Sequence, residues 1–512
     1  MSTSASRRSF LATSAGGAAT WWAIQHASLL PGLPTVSAEE AQPSPDGVRF
    51  SSDIEPLVRQ IEETPRESLL EKIAERIRAG ESYQQIVGAL LLAGIRNVQP
   101  RPAVGFKFHA VLVVNSAHLA SLASSAQHRW LPIFWALDYF KEAQAQDTRE
   151  GNWTMARVDE SRVPPAHQAR ALFIEAMDSW DVEKADVAAA ALARSASSGE
   201  LFDLFARYGA RDYRSIGHKA IYVANAWRTL SLIGWRHAEP VLRSLAYAIL
   251  NHSGEPNPSM SDLEPDRAFR RNSERLAKLP AHWTGGKLDD GASRQLLTTL
   301  RAGTSEDVAQ QVVEMLSRGV SPQSIWDALL VGSGELLMRQ PGIVGLHTLT
   351  TSNAMRHAFD FASSDEVRRL VLLQNASFLP LFRKSMEQRG AVQSLALDQL
   401  EPLPLAADQP PLDAIFGPLH QDRLAAARRT LAAAQENAGV EPFFQRAREL
   451  VFLKGRDSHD YKFSSAVLED FYHVSPAWRA RFLAASVYHL RGAGLPDNPL
   501  VARTIAALGK QS

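Results

Sequence analysis

Cysteine is absent from all 512 residues. Its absence excludes disulfides, thiolate metal sites, thioether-linked haem and a cysteine nucleophile. Net charge is missing too, because 55 Lys+Arg balance 55 Asp+Glu. Setting aside the two arginines of the leader described below leaves 55 − 2 = 53 basic residues against 55 acidic ones. Such a chain lacks the electrostatic footprint of a nucleic-acid binder and has no charged tail. Strand alternation and hairpin turn chemistry are not found. Neither are a GxSxG elbow, a GxxxxGK[ST] phosphate loop, an HExxH pair or a Rossmann GxGxxG after a strand. Apolar residues are plentiful, at 45% hydrophobic with 11 tryptophans. That suffices for a large core and excludes a disordered or collagenous chain.

The N-terminus reads Ser6-Arg7-Arg8-Ser9-Phe10-Leu11, followed by a weakly apolar, small-residue stretch from Ala12 to about Leu30. This pattern resembles a bacterial twin-arginine export signal, a receptor-read address that is removed after use. Val36-Ser37-Ala38 has the small-x-small form of a cleavage site. The resemblance implies passage through the twin-arginine translocase and residence in the periplasm or another extracytoplasmic space. Gln25 and His26 interrupt the stretch, which falls short of the roughly twenty apolar residues a span needs. No membrane anchor is expected after cleavage. The route carries folded cargo and so favours a cofactor inserted beforehand.

The rest of the chain reads as all-α, with apolar residues spaced three to four apart, as in Leu230, Ile233, Val241, Leu242, Leu245 and Ile249. A repeat is visible at an offset near 240 residues. Thr64-Pro65-Arg66-Glu67 and Thr304-Ser305-Glu306-Asp307 each open a helical run, with threonine as the expected N-cap and a glycine (Gly80 or Gly319) at the close. Ser82 to Leu91 then matches Ser321 to Leu330. Gly105 to His109 matches Gly345 to His347, with two residues deleted. Asn115 pairs with Asn353, His118 with His357, Arg129 with Arg369, and His218 falls within a residue of His459. The expected organisation is a signal peptide over 1–38, a helical repeat over 39–252, a linker or surface excursion over 253–291 and a second repeat over 292–512. An ancient duplication of this kind predicts two similar halves packed about a pseudo-two-fold axis.

Three of the fifteen histidines recur in the second copy. Imidazole is the commonest metal ligand and the commonest acid–base group near neutral pH, and helical bundles build metal sites from inward-facing side chains. Nine helical positions put His109 and His118 on opposite faces, so both cannot be ligands on one continuous helix. The inward pair is therefore His109 with His218, with His347 and His459 as its counterpart, and His118 either stands behind the ligands or supports the fold. Duplication leaves either one active copy, the first being the richer in polar partners, or a site shared at the interface of the halves. By the same periodicity Ser116 shares the face of His109, and Asn115 that of His118.

The stretch from Gly209 to Tyr222 is the densest polar constellation. It offers His218 and Tyr222 on one face with Asn225, preceded by Arg211-Asp212, which the second copy keeps as Arg456-Asp457 before His459. Tyr222, Arg211 and Asp212 are read as orienting a substrate around a catalytic His218. Asp138 and Lys141 are read as a local ion pair, and Glu175, Asp178 and Asp181 as a solvated face.

Gly217-His218-Lys219-Ala220-Ile221-Tyr222-Val223-Ala224-Asn225-Ala226 resembles a histidine-containing segment, H-x-x-I-x-x-x-x-A, of the questin oxidase-like family. The resemblance covers this segment and the helical, multi-histidine character of the chain. It implies an oxygenase acting on an aromatic or polyketide-like small molecule, with His218 near the site. The export signal departs from that family's intracellular setting. The reading of the sequence is an exported oxidoreductase that depends on a cofactor or a transition metal (iron, copper or zinc) or haem. Its rival is a non-catalytic periplasmic binding or scaffold protein whose paired histidines are core residues.

Overall fold

The computed structural model describes residues 54–101, 107–126, 128–405, 409–435 and 440–509. The leader, its cleavage site, and Gly105 and Phe106 of the proposed repeat lie outside the described residues. Among those residues there are 22 α-helices and no strand, so the fold is all-α. The first half contains α1 (Glu55–Glu63), α2 (Arg66–Arg78), α3 (Tyr83–Asn97), α4 (His109–Leu122), α5 (Trp130–Glu150), α6 (Ala166–Ser179), α7 (Val182–Ser195), α8 (Ser198–Gly209), α9 (His218–Ile233) and α10 (Ala238–Ile249). Next come α11 (Glu264–Arg275), α12 (Asp290–Ala302), α13 (Ser305–Ser317), α14 (Pro322–Arg339), α15 (Ile343–Phe361) and α16 (Asp365–Glu387). The chain ends with α17 (Pro411–Phe416), α18 (Arg423–Gln435), α19 (Glu441–Lys454), α20 (Ser458–His473), α21 (Pro476–Ser486) and α22 (Pro499–Gly509).

Four helices form the centre. Helix α4 packs on α9, α9 on α15, α15 on α20, and α20 back on α4, closing a ring. Each half supplies two of them. Helix α4 is buried on nearly every face, with only Leu119 and Leu122 partly exposed, as a helix surrounded by others must be. Its outer neighbours are α3 and α5, while α15 is flanked by α14 and α16.

Helix starts follow local chemistry. Ser82 and Gln85 form a reciprocal capping box at α3, as do Thr304 and Asp307 at α13 and Asp457 and Asp460 at α20. Thr64 differs from the sequence expectation. It terminates α1, and α2 begins at Arg66 behind Pro65 with no side-chain cap, because proline at that position presets the extended entry.

Two further expectations are revised. Residues 253–291 hold α11 and two short 3-10 turns rather than a bare linker. Helix α11 is docked by polar contacts: Asn272 donates to Gln374 Oε1 and Ser377 Oγ, and Asp266 receives a bidentate Arg214. Asp138 does not pair with Lys141. It accepts two hydrogen bonds from Arg66 at 3.0 and 2.6 Å, and the Lys141 ammonium caps α1 through the Ile61 and Glu62 carbonyls. A helix C-terminus, rich in unsatisfied carbonyls, outcompetes a same-helix partner for the lysine.

Candidate metal centre

Each helix of the ring begins close to a histidine. His109 and His218 are the first residues of α4 and α9, His459 is the second of α20, and His347 is the fifth of α15. The four imidazoles meet at one end of the ring. One to three turns further along, Asn115, Asn225, Asn353 and Lys462 line a common chamber. The four helices therefore run in the same direction.

His218 Nε2 lies 2.9 Å from His109 Nε2 and 2.9 Å from His347 Nε2. His459 completes the group, its ring centroid 4.6 Å from that of His109 and 5.2 Å from that of His347. One ligand nitrogen from each of His109, His347 and His459 falls within 4.8 Å of the others. The pairs His109 with His218 and His347 with His459 meet in a single cluster, the shared arrangement of the two that duplication allows. The structure brings all four to one place.

Hydrogen bonding fixes the tautomers. His218 Nδ1 donates to the Ser215 carbonyl at 2.6 Å and His347 Nδ1 to the Ile343 carbonyl at 2.6 Å. A carbonyl only accepts, so in each neutral ring Nε2 carries a lone pair. Protonation does not relieve the contact between them. Burial first, and then the charge of Lys462 for His218 and of neighbouring His218 for His347, hold both rings well below the ordinary histidine range. Two lone pairs thus face one another at 2.9 Å. His459 Nε2 is also buried without a hydrogen-bond partner, while its Nδ1 sits 3.3 Å from Asp457 Oδ1. Burial lowers the His459 pKa, opposed by Asp457.

A cation between the nitrogens would resolve this arrangement. Metal–imidazole bonds of about 2.0–2.1 Å put ligands at 90° about 2.9 Å apart and tetrahedral ligands about 3.3 Å apart. The observed spacing fits the right-angled case. Backbone carbonyls orient two of the rings and a carboxylate a third, as supporting groups do in metal sites. The convergence of all four rings leaves no slot for a porphyrin plane, so haem does not fit.

A strained turn aims His218. Ser215, Ile216 and Gly217 adopt φ of 57°, 47° and 81°. Positive φ at a β-branched residue such as Ile216 is costly. Contacts on both sides hold it: Thr351 Oγ1 donates to the Ile216 carbonyl, and a side chain on Gly217 would collide with Thr351. Behind the turn, Lys219 and Asp212 form a fully buried ion pair at 2.8 Å, and Asp212 also accepts from the Arg214 N–H. Arg211 stacks 3.8 Å from the Trp180 ring centroid and donates to the Met177 carbonyl. Tyr222 donates to Ser244 Oγ at 2.8 Å and packs edge-on against Phe108. Arg211, Asp212 and Tyr222 thus make protein contacts, and none of them lines the chamber. His118 faces Tyr83, Nδ1 to hydroxyl 3.1 Å, with its pKa pushed down to about 4 by burial. Asp178 accepts from Tyr208, and Asp181 caps α7.

The chamber itself is small, about 10 Å³ between the four helices, room for roughly one water. Lys462, Ile221 and Thr350, each three residues beyond a histidine, form its floor toward the imidazoles. Arg228, Glu469 and Asn353 close the far end, with Glu469 Oε2 accepting from both Arg228 and Asn353 at 2.7 Å. Asn115, which periodicity assigned to the His118 face, lines the chamber together with Ser116. No family model, curated protein or solved structure matches this chain.

Proposed function

We propose that the protein is a metal-dependent oxidoreductase of oxygenase type, exported by the twin-arginine route and built by duplication of a helical unit. Its centre is a single transition-metal ion held by His109, His218, His347 and His459. The observation that carries the reading is the pair of Nε2 lone pairs of His218 and His347, facing each other in a buried site. The cost of that contact disappears when a cation occupies the gap. Four neutral nitrogen donors suit iron, copper or zinc. The 2.9 Å spacings favour iron or copper, which accept right-angled geometries and leave a coordination position open. An open position on a redox metal is what oxidative chemistry on a small molecule requires.

The test is elemental analysis of purified full-length protein, with an absorption or paramagnetic-resonance spectrum. About one equivalent of iron or copper per chain is expected, lost when His347 is replaced by alanine. Metal-free protein that takes up no divalent metal on titration would sink the reading in favour of a non-catalytic scaffold with structural histidines.

A further inference from the structure

A second cavity lies beyond the chamber, between α4, α19 and α20. It shares Leu119, Ser465 and Glu469 with the chamber and opens beside the half-exposed Tyr472. Leu119 stands ten residues past His109 on α4, about 15 Å along the helix axis. A molecule held here therefore sits at the approach to the four histidines and does not touch them. Leu119, Ala120, Phe452 and Leu468 supply an apolar wall from the three helices. The cavity measures about 160 Å³, and an apolar space of about 150 Å³ is enough to take up benzene. One six-membered ring fits.

One cation joins this wall. Arg448 lines the cavity from α19, and among the described residues its guanidinium has neither a hydrogen bond nor an ion pair, only the Phe444 ring centroid at 5.6 Å. Burial lowers its pKa against the pull of Glu441, yet a guanidinium stays charged at neutral pH. The neighbouring polar groups are already engaged. Glu441 accepts from the Tyr472 hydroxyl at 2.7 Å, and Glu469 accepts from Arg228 and Asn353. The Ser464 and Ser465 hydroxyls donate to the Tyr461 and Ser116 carbonyls. Among the described residues, Arg448 is thus the donor this lining keeps in reserve. Its planar fork of N–H groups matches a carboxylate, which can accept two of them at once.

We propose that this cavity binds a small monocarboxylate whose apolar body is the size of one ring, with that body against Leu119, Ala120, Phe452 and Leu468 and the carboxylate paired with Arg448. The site goes beyond the metal reading and does not rest on it, because no histidine of the centre touches the ligand. Both parts of the ligand matter. A partly exposed ion pair alone is weak, so burial of the ring supplies the affinity and the guanidinium sets the preference for an anion.

Sodium benzoate is the probe, titrated by calorimetry into the full-length protein, with benzamide as the neutral control and sodium acetate as the ringless one. Saturable benzoate binding is expected, with benzamide and acetate each at least tenfold weaker. Arg448→Gln should weaken benzoate at least tenfold and leave benzamide unchanged. Ala120→Leu, which fills the cavity, should weaken both ligands and serves as the second variant if Arg448→Gln misfolds. Metal content should be the same in both variants as in the wild type. No saturable benzoate binding to the wild type, equal affinity for benzoate and benzamide, or wild-type benzoate affinity in either folded variant overturns the site. Arginine-dependent benzoate binding by a protein that takes up no metal supports this site while the metal centre fails, so the two failures are distinguishable.

Discussion

His218 and His347 point their Nε2 atoms at each other across 2.9 Å, each with its Nδ1 already donated to a backbone carbonyl. The pair comes from helices 129 residues apart in sequence, and neither ring has a proton to offer the other. Replacing His218 or His347 by alanine removes a ligand and the contact together. Metal content should fall at least tenfold, with the far-ultraviolet circular dichroism still fully helical. Stoichiometric metal in both variants would remove these rings from the ligand set.

Chelation should destabilise the wild type, because an ion that binds only the folded chain adds its binding free energy to folding. At free metal a hundredfold above Kd the difference is about 2.7 kcal/mol. Thermal melts with and without chelator read it. Identical melting of the metal-loaded and stripped forms would contradict a site of this depth.

Gly217→Ala tests the turn. Alanine at φ 81° is strained, and its methyl would collide with Thr351, so a loss of about 1–3 kcal/mol is expected. The same variant should bind metal more weakly, since His218 follows directly. Gly254, with φ 79° and open space around it, is the control, and alanine there should cost less and leave metal affinity unchanged.

Asp212→Ala leaves the Lys219 ammonium alone in the core. Burial already pushes that lysine down to about 8, against the pull of Asp212. Breaking a buried pair by removing one member typically costs about 3–5 kcal/mol. Chemical denaturation should show this loss. If Asp212 acted on substrate instead, activity would fall without a comparable change in stability.

Acid should unfold the protein early. Burial holds His118 and His489 down to about 4 and His357 to about 2. In the unfolded chain each titrates near its ordinary value of 6.5. Between these values the unfolded state carries the extra protons, so stability is complete above pH 6.5 and falls as the pH drops below it. For the well-buried His118 and His357 the slope is about 1.4 kcal/mol per pH unit each. Denaturation midpoints at pH 7.5, 6 and 5 should decline in that order, and a flat profile would contradict neutral burial.

Much of the architecture was legible because periodicity is local. Apolar residues three to four apart announce helices, and Thr304 and Ser82 announce their starts. Thr64 misled because a threonine before proline satisfies the same pattern at the end of the preceding helix. His109, His218, His347 and His459 could be singled out because they recur at matching offsets, but their convergence is a property of packing that spacing does not encode. Lys462 gave no signal. It is one lysine among many until its surroundings are known, and its burial depends on α4, α9 and α15, all remote in sequence. Arg211, Asp212 and Tyr222 stood out as polar residues near a histidine, yet their partners (Met177, Lys219 and Ser244) lie on neighbouring elements that complete the support of the turn.

The ring of four parallel helices has a kinetic consequence. Its histidines span positions 109 to 459, so the first imidazole waits for some 350 further residues before the last can join it. Contacts this distant form late, after their long loops have closed. A metal captured there is captured at the end of folding, and its presence certifies that both halves have been made and assembled. Under the proposed export of folded protein, such a centre would double as an internal inspection mark.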